Sequence, residues 1–164
     1  MTPLYGRAEI GKRVMDEVPH GHWQTTTFLA ALRHDGLTAP LVIDGAINGE
    51  LFLAYVEQEL VKTLTEGDIV VLDNLSSHKV VGVEKAITSV GAQVLYLPPY
   101  SPDFNPIELV FSKLKTLVRK SKVRKVEELW KKLGELCEVF TPKECKNYFK
   151  HAGYKGNTKI QTKI

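Results

Sequence analysis

Cysteine is nearly absent from this chain: two among 164 residues, Cys137 and Cys145. Their spacing, in sequence that reads as helical, fits no common zinc pattern, and so few thiols build no disulfide scaffold. Apolar runs are short, and none approaches the ~18–20 residues that span a bilayer. The opening Met1-Thr-Pro-Leu-Tyr-Gly-Arg lacks the basic-then-apolar pattern of a secretory signal. There is no internal repeat, no low-complexity stretch and no linker to divide two domains. Also missing are a Gly-rich phosphate loop, a Gly-x-Ser-x-Gly elbow and a His-Glu-x-x-His pair, with the chemistries they carry. The expectation is one globular domain over residues 1–164, working in the cytoplasm and away from membranes.

What the chain does have is charge, unevenly placed. The net value of +3 conceals a split. Residues 1–112 carry seven Lys/Arg against fourteen Asp/Glu, and residues 113–164 carry fifteen against five. Residues 113–132 alone hold nine basic side chains and two acidic ones, Glu127 and Glu128. A basic run by itself is as readily a solvated helix face as a binding surface. Beside an acidic half, it suggests a polyanion held next to an acidic working site.

The pattern along the chain is α/β. Residues 23–33 are Thr-rich and aromatic, and His34-Asp35-Gly36 turns them into a hairpin partner over 37–44, where Pro40 favours an edge. Leu53, Val56, Leu60 and Leu64 recur at helical spacing, with Asn48 to cap them and Gly67 to stop them. Residues 69–72, Ile-Val-Val-Leu between two acids, read as a strand buried on both faces. Ser76 or Ser77 would cap a helix over about 79–90, ended by Gly91, before a strand over 93–97 halted by Pro98-Pro99. Only helices are expected afterwards: 106–120, 126–140, and a short one opened by the capping box Thr141-Pro-Lys-Glu144. Trp130, Leu133, Cys137 and Phe140 form an apolar stripe, core or partner surface.

Two carboxylates stand out. Asp73 ends the most buried-looking strand, at the rim where open α/β sheets bind ligands. Taken alone, an Asp there is more often a turn cap. Glu108, in Asn105-Pro-Ile-Glu108, imitates a capping box and is favoured by the helix dipole. It also lies at the edge of the apolar stripe of its helix, with Ser112, Lys115 and Arg119 following on the same side. An acid followed by cations suits a metal ion with a phosphate chain beyond it. Magnesium takes hard oxygen ligands, and two such ions can clamp the attacking and leaving oxygens of a phosphodiester. Such a site normally needs a third carboxylate. His20 and His22 flank Gly21 without an acidic or Cys partner nearby, a poor metal pair.

The two segments Val70-Val-Leu-Asp73-Asn-Leu-Ser-Ser-His78-Lys and Leu97-Pro-Pro-Tyr-Ser-Pro-Asp-Phe-Asn-Pro-Ile-Glu108 resemble the DDE transposases of the bacterial insertion sequence 630 family, relatives of mariner. Thirty-four residues separate Asp73 from Glu108, the interval between the second and third catalytic acids of that group. The similarity runs from Tyr5 to Tyr154, taking in HGHWQTTTF, VIDGAING and NYFKHAGY. It implies a ribonuclease-H-like mixed sheet with helices on both faces. It further implies two divalent ions, Mg2+ or Mn2+, and cleavage and joining of double-stranded DNA at transposon ends and a TA target, in a bacterial nucleoid.

Carried across, Asp73 and Glu108 become catalytic metal ligands. Asn74 and His78 become site-lining residues, and Lys113, Lys115, Arg119 and Lys120 become phosphate contacts. Residues 98–105 become the stiff connector that fixes Glu108 against Asp73. In that family the first catalytic Asp ends a first strand that precedes the segment resembling Met1–Arg7, and a helix-turn-helix region precedes that. Asp16-Glu17 has the right letters in the wrong place, and Asp44 matches a structural turn. The resemblance therefore implies an N-terminally truncated domain, lacking its first strand in mid-sheet and silent alone. Self-association or an upstream transposase fragment is the expected protein partner; the alternative is a non-enzymatic DNA-binding or transposase-interacting remnant.

Overall fold

The computed structural model describes residues 6–15, 25–154 and, as backbone, 160–163. The hairpin forms as the turn chemistry dictates: β1 (Thr26–Leu32) pairs antiparallel with β2 (Leu37–Asp44). The ladder shifts register between Leu29 and Ala31. Opposite that shift lie Ala39, at φ 47°, and Pro40, which has no N–H to offer a ladder. The Tyr55 hydroxyl donates to the Ala39 carbonyl at 2.7 Å, so the irregularity leaves that buried oxygen satisfied. β2 lies at the sheet edge, where Pro40 is tolerated.

Helix α1 (Gly49–Tyr55) starts on Asn48, whose side chain accepts from the Leu51 N–H at 2.8 Å. It runs on through a π turn (Val56–Leu60) and a 3-10 turn (Val61–Thr63). The four-turn periodic segment is thus one continuous helical rod, with its middle loosened. Strand β3 (Ile69–Leu72) pairs in parallel with β4 (Gln93–Tyr96). Between them, the structure departs from expectation. Ser76–Lys79 forms a separate 3-10 turn, and helix α2 (Val83–Thr88) begins later, after Gly82 at φ 109°. Gly82 ends the turn and resets the chain, so neither serine caps the helix.

Three helices follow: α3 (Ile107–Ser121), α4 (Val126–Cys137) and α5 (Pro142–His151). Thr141 caps α5 as expected, accepting from the Glu144 N–H. The expectation of helices alone after residue 106 fails, because residues 160–163 form strand β5 (Ile160–Lys163).

β5 corrects a second expectation too. The sheet order is β2-β1-β5-β3-β4. The place between the hairpin and the Asp73 strand, the mid-sheet position that the resemblance left without a strand, is occupied by the chain's own late segment. β5 runs parallel to β3 along all four of its residues and antiparallel to β1 through Ala31 and Leu32. Backbone groups of Val70 and Val71, which have no exposure, therefore have a ladder on both sides.

The alternation of β3 divides the interior. Val70 and Leu72 join Leu29, Phe52, Tyr55, Leu60 and Ile87 on the α1–α2 face. Val71 joins Leu32, Ile107, Leu114, Leu133, Leu136 and Phe149 on the α3–α5 face. Burying each such side chain contributes ~1.5–3 kcal/mol. At the far end from Asp73, the buried Asp68 takes a two-armed ion pair from Arg33, at 2.9 and 3.2 Å, plus the Thr65 N–H at 2.8 Å. That pair joins the end of β1 to the start of β3 directly, across β5. Of the described residues, no helix is long and apolar enough to cross a membrane.

Candidate metal-dependent nuclease site

Asp73 follows the last residue of β3, and Glu108 is the second residue of α3. Both line one open cleft of about 350 Å3, with Asn74, Leu75, residues 97–102 and Asn105 between them. The two acids singled out in the sequence therefore line one cleft at the carboxyl end of β3. The connector over residues 98–105 forms the cleft wall. Its 3-10 turn, Pro102–Phe104, is closed by the Asn105 N–H on the Pro102 carbonyl at 2.8 Å.

His78 stands behind Asp73 rather than in the cleft. It is 3% exposed, its ring tilts over Phe52 at 4.2 Å, and its Nδ1 lies 2.6 Å from Asp73 Oδ1. The approach is close, although its angle falls short of a well-aligned hydrogen bond. The Leu75 N–H donates to the same Oδ1 at 3.0 Å. Partial burial pushes the Asp73 carboxyl up, but the His78 side chain and the Leu75 N–H outweigh it and hold it below its ordinary value. The same two contacts fix the direction in which the Asp73 carboxylate faces.

Glu108 is exposed, and its own N–H bonds to the Asn105 carbonyl at 3.1 Å. The capping box expected at residues 105–108 does not form. Pro106 holds the cap position and no side chain caps the helix. Asn105 is 3% exposed and its Oδ1 has no partner. A buried amide oxygen that accepts nothing, in a residue lining a cleft with two carboxylates, is a hard oxygen with its lone pairs unanswered. Sequence reasoning missed it, because an Asn before Pro-x-Glu reads so readily as a helix cap. Among the described residues no group of three His, Cys, Asp or Glu gathers to hold a metal. What the cleft does bring together is hard oxygen chemistry: the carboxylates of Asp73 and Glu108, with Asn105 in the lining between them.

The four predicted phosphate contacts separate. Lys115 and Lys120 are exposed and Arg119 half-buried, with Ser112, Lys115 and Arg119 continuing the Glu108 side of α3. The structure gives Lys113 another task, and here the expectation is corrected. Its Nζ lies 2.6 and 2.8 Å from the two Glu144 oxygens and 4.8 Å from the centre of the Phe140 ring, tying α3 to α5. The pull of Lys113, with the Tyr148 hydroxyl, holds the Glu144 carboxyl below its usual range. His20, His22, Asp16 and Glu17 lie outside the described residues. Asp44 is exposed at the end of β2, at the hairpin side of the sheet and outside the cleft lining.

Residues 1–130 match the sequence profile of the DDE superfamily endonuclease family. The chain belongs to that family. No curated protein sequence matches it. Among solved structures, the Mos1 strand transfer complex superposes with a TM-score of 0.70 at 15% identity, over 89% of this chain and 45% of that one. The Mos1 mariner paired-end complex with Mn gives 0.64 at 16%, over 90% and 46%. The catalytic domain of Mos1 mariner transposase gives 0.55 at 15%, over 79% and 73%. The chain thus spans less than half of the Mos1 chains in those two complexes. The shared architecture is the ribonuclease-H-like α/β fold of that catalytic domain.

Proposed function

We propose that this chain is the catalytic domain of a DNA transposase of the insertion sequence 630 and mariner type. Asp73 and Glu108 would hold divalent ions, Mg2+ or Mn2+, against a DNA phosphodiester. The observation that carries the reading is that two acids, with thirty-four residues between them, line one strand-end cleft of a DDE superfamily endonuclease. The bound ions would activate water or a 3′-hydroxyl and stabilise the leaving oxygen. The protein's own part is orientation. β3 and His78 fix Asp73, the proline-rich wall fixes Glu108, and Asn105 Oδ1 and Asn74 stand by as further oxygens. Lys115, Arg119 and Lys120 carry the phosphate chain away from the cleft along α3, ~10–18 Å from Glu108 at 1.5 Å per residue.

Among the described residues the cleft holds two carboxylates, one acid short of a two-ion set. We therefore expect ions and DNA to bind, while strand cleavage waits on a carboxylate supplied by another segment or polypeptide. The test is Mn2+ binding followed by electron paramagnetic resonance, alongside DNA affinity as a function of salt. Asp73→Asn and Glu108→Gln should each weaken Mn2+ binding at least tenfold and leave the fold intact by circular dichroism. Unchanged Mn2+ binding in both variants would sink the proposal. DNA binding with no Mn2+ binding would favour the second reading, a non-enzymatic DNA-binding remnant, which the intact basic side of α3 supports.

A further inference from the structure

Between Leu97 and Ile107 the chain contains four prolines, at 98, 99, 102 and 106. Each fixes its own φ and constrains the residue before it. The segment is also tied at both ends. The Leu97 N–H bonds to the Leu72 carbonyl at 2.8 Å, and the Tyr154 hydroxyl donates to the Phe104 carbonyl at 2.8 Å. Within it, the Phe104 N–H reaches the Ser101 carbonyl and the Ser101 hydroxyl reaches the Pro99 carbonyl. At the crest stands Tyr100, fully exposed, with φ 56°. Left-handed backbone is rare for a bulky residue, and persists where the surroundings enforce it. Among the described residues Tyr100 has no hydrogen bond or ring partner. Yet Tyr100 lines the same cleft as Asp73 and Glu108, as does the half-exposed Leu75.

We propose that Tyr100 is a stacking platform for an unpaired nucleobase of the DNA strand whose phosphate lies between Asp73 and Glu108. The inference rests on the function proposed above and adds a recognition element to that site. A stiff loop presents the ring with little ordering left to lose, so contact with a flat partner is efficient. A base paired in a duplex has both faces covered, whereas one drawn out of the stack, or in a single strand, has a π-face to give. Stacking on aromatics is sequence-tolerant, because every base has such a face. Aromatic and acids line one cleft, so a base on the ring would belong to a nucleotide near the scissile phosphate.

The experiment uses the full chain with Mn2+ and oligonucleotides carrying 2-aminopurine, either extrahelical or fully paired. The wild-type chain should quench the extrahelical base and leave the paired one bright. Tyr100→Phe should keep the quench. Tyr100→Gly removes the ring and relieves the backbone. It should raise the urea midpoint while weakening extrahelical binding roughly five- to a hundredfold and abolishing the quench. Lys115→Ala should lower affinity for both oligonucleotides and leave the quench at saturation unchanged. Equal quenching by wild type and Tyr100→Gly would overturn the proposal, as would loss of the quench in Tyr100→Phe. A dimer in light scattering that Tyr100→Gly dissolves would do the same, by assigning the ring to a second copy. Wild-type chain that binds neither DNA would instead remove the function on which the proposal rests.

Discussion

The Arg33–Asp68 pair offers a sharp test of how this sheet is held. Asp68 has no exposure, and its carboxylate is matched by two guanidinium N–H groups and one backbone N–H. Replacing Arg33 by Ala takes the guanidinium partner away from a carboxylate that is shut off from water. The loss of one partner of a buried pair costs about 3–5 kcal/mol, out of a total of ~5–15 kcal/mol for a domain. At ~2–4 °C per kcal/mol for this chain length, the melting temperature should fall by roughly 10 °C. Asp68→Asn keeps an acceptor for the Thr65 N–H and should cost less, about 1–2 kcal/mol. Removing both charges together, as Arg33→Met with Asp68→Leu, should recover much of the Arg33→Ala loss, because isolation of one charge is the main penalty. Urea unfolding at pH 7, followed by circular dichroism, measures all four proteins. An Arg33→Ala loss below about 1 kcal/mol would refute the reasoning, since it would mean that water reaches Asp68. The pair pins the start of the strand whose other end carries Asp73, so the same variant should also weaken Mn2+ binding.

Glu144 is depressed below its ordinary value, so its contribution is present above the unfolded value of ~4.3 and fades as pH falls through its lower folded value. Glu144→Gln should therefore cost about 1 kcal/mol at pH 7 and flatten the loss of stability below about pH 4.5, as urea midpoints against pH will show. Lys115→Ala and Arg119→Ala should each reduce the salt slope of DNA binding by about one, while Lys113→Ala lowers stability with little change in that slope. His78→Ala should leave Asp73 less firmly aimed and weaken Mn2+ binding several-fold, with His78→Asn recovering part of it; calorimetric titration decides. Deleting residues 160–164 should speed hydrogen exchange at Val70 and Val71 and promote aggregation, by opening the facing edges of β1 and β3.

What could be read ahead of the coordinates was local. Ile69–Leu72 declares a strand buried on both faces by being apolar without alternation, and Asn48 caps its helix because nothing competes for its side chain. The two acids of the cleft could be picked out because a strand end and a helix start can be placed from pattern alone. Failures arose where a remote partner decided. Lys113 lost its place among the phosphate contacts to Glu144, thirty-one residues away, and the Asn105 side chain lost its cap to the backbone beside it. Ser76 and Ser77 look like caps, yet Gly82 could take a left-handed φ and moved the helix start. β5 is the extreme case. Four residues of Ile-Gln-Thr-Lys have no periodicity to declare a strand, and only the two edges waiting for them make one.

Those edges also set an order of events. β1 and β3 belong to the first half of the chain, and the strand that joins them is made about ninety residues after β3. During synthesis, at ~5–20 residues per second, both ribbons must therefore wait several seconds or longer for their shared neighbour. The keystone of this arch is cut last, and until it drops in, the scaffolding has to come from α1, α2 and the bridge between Arg33 and Asp68.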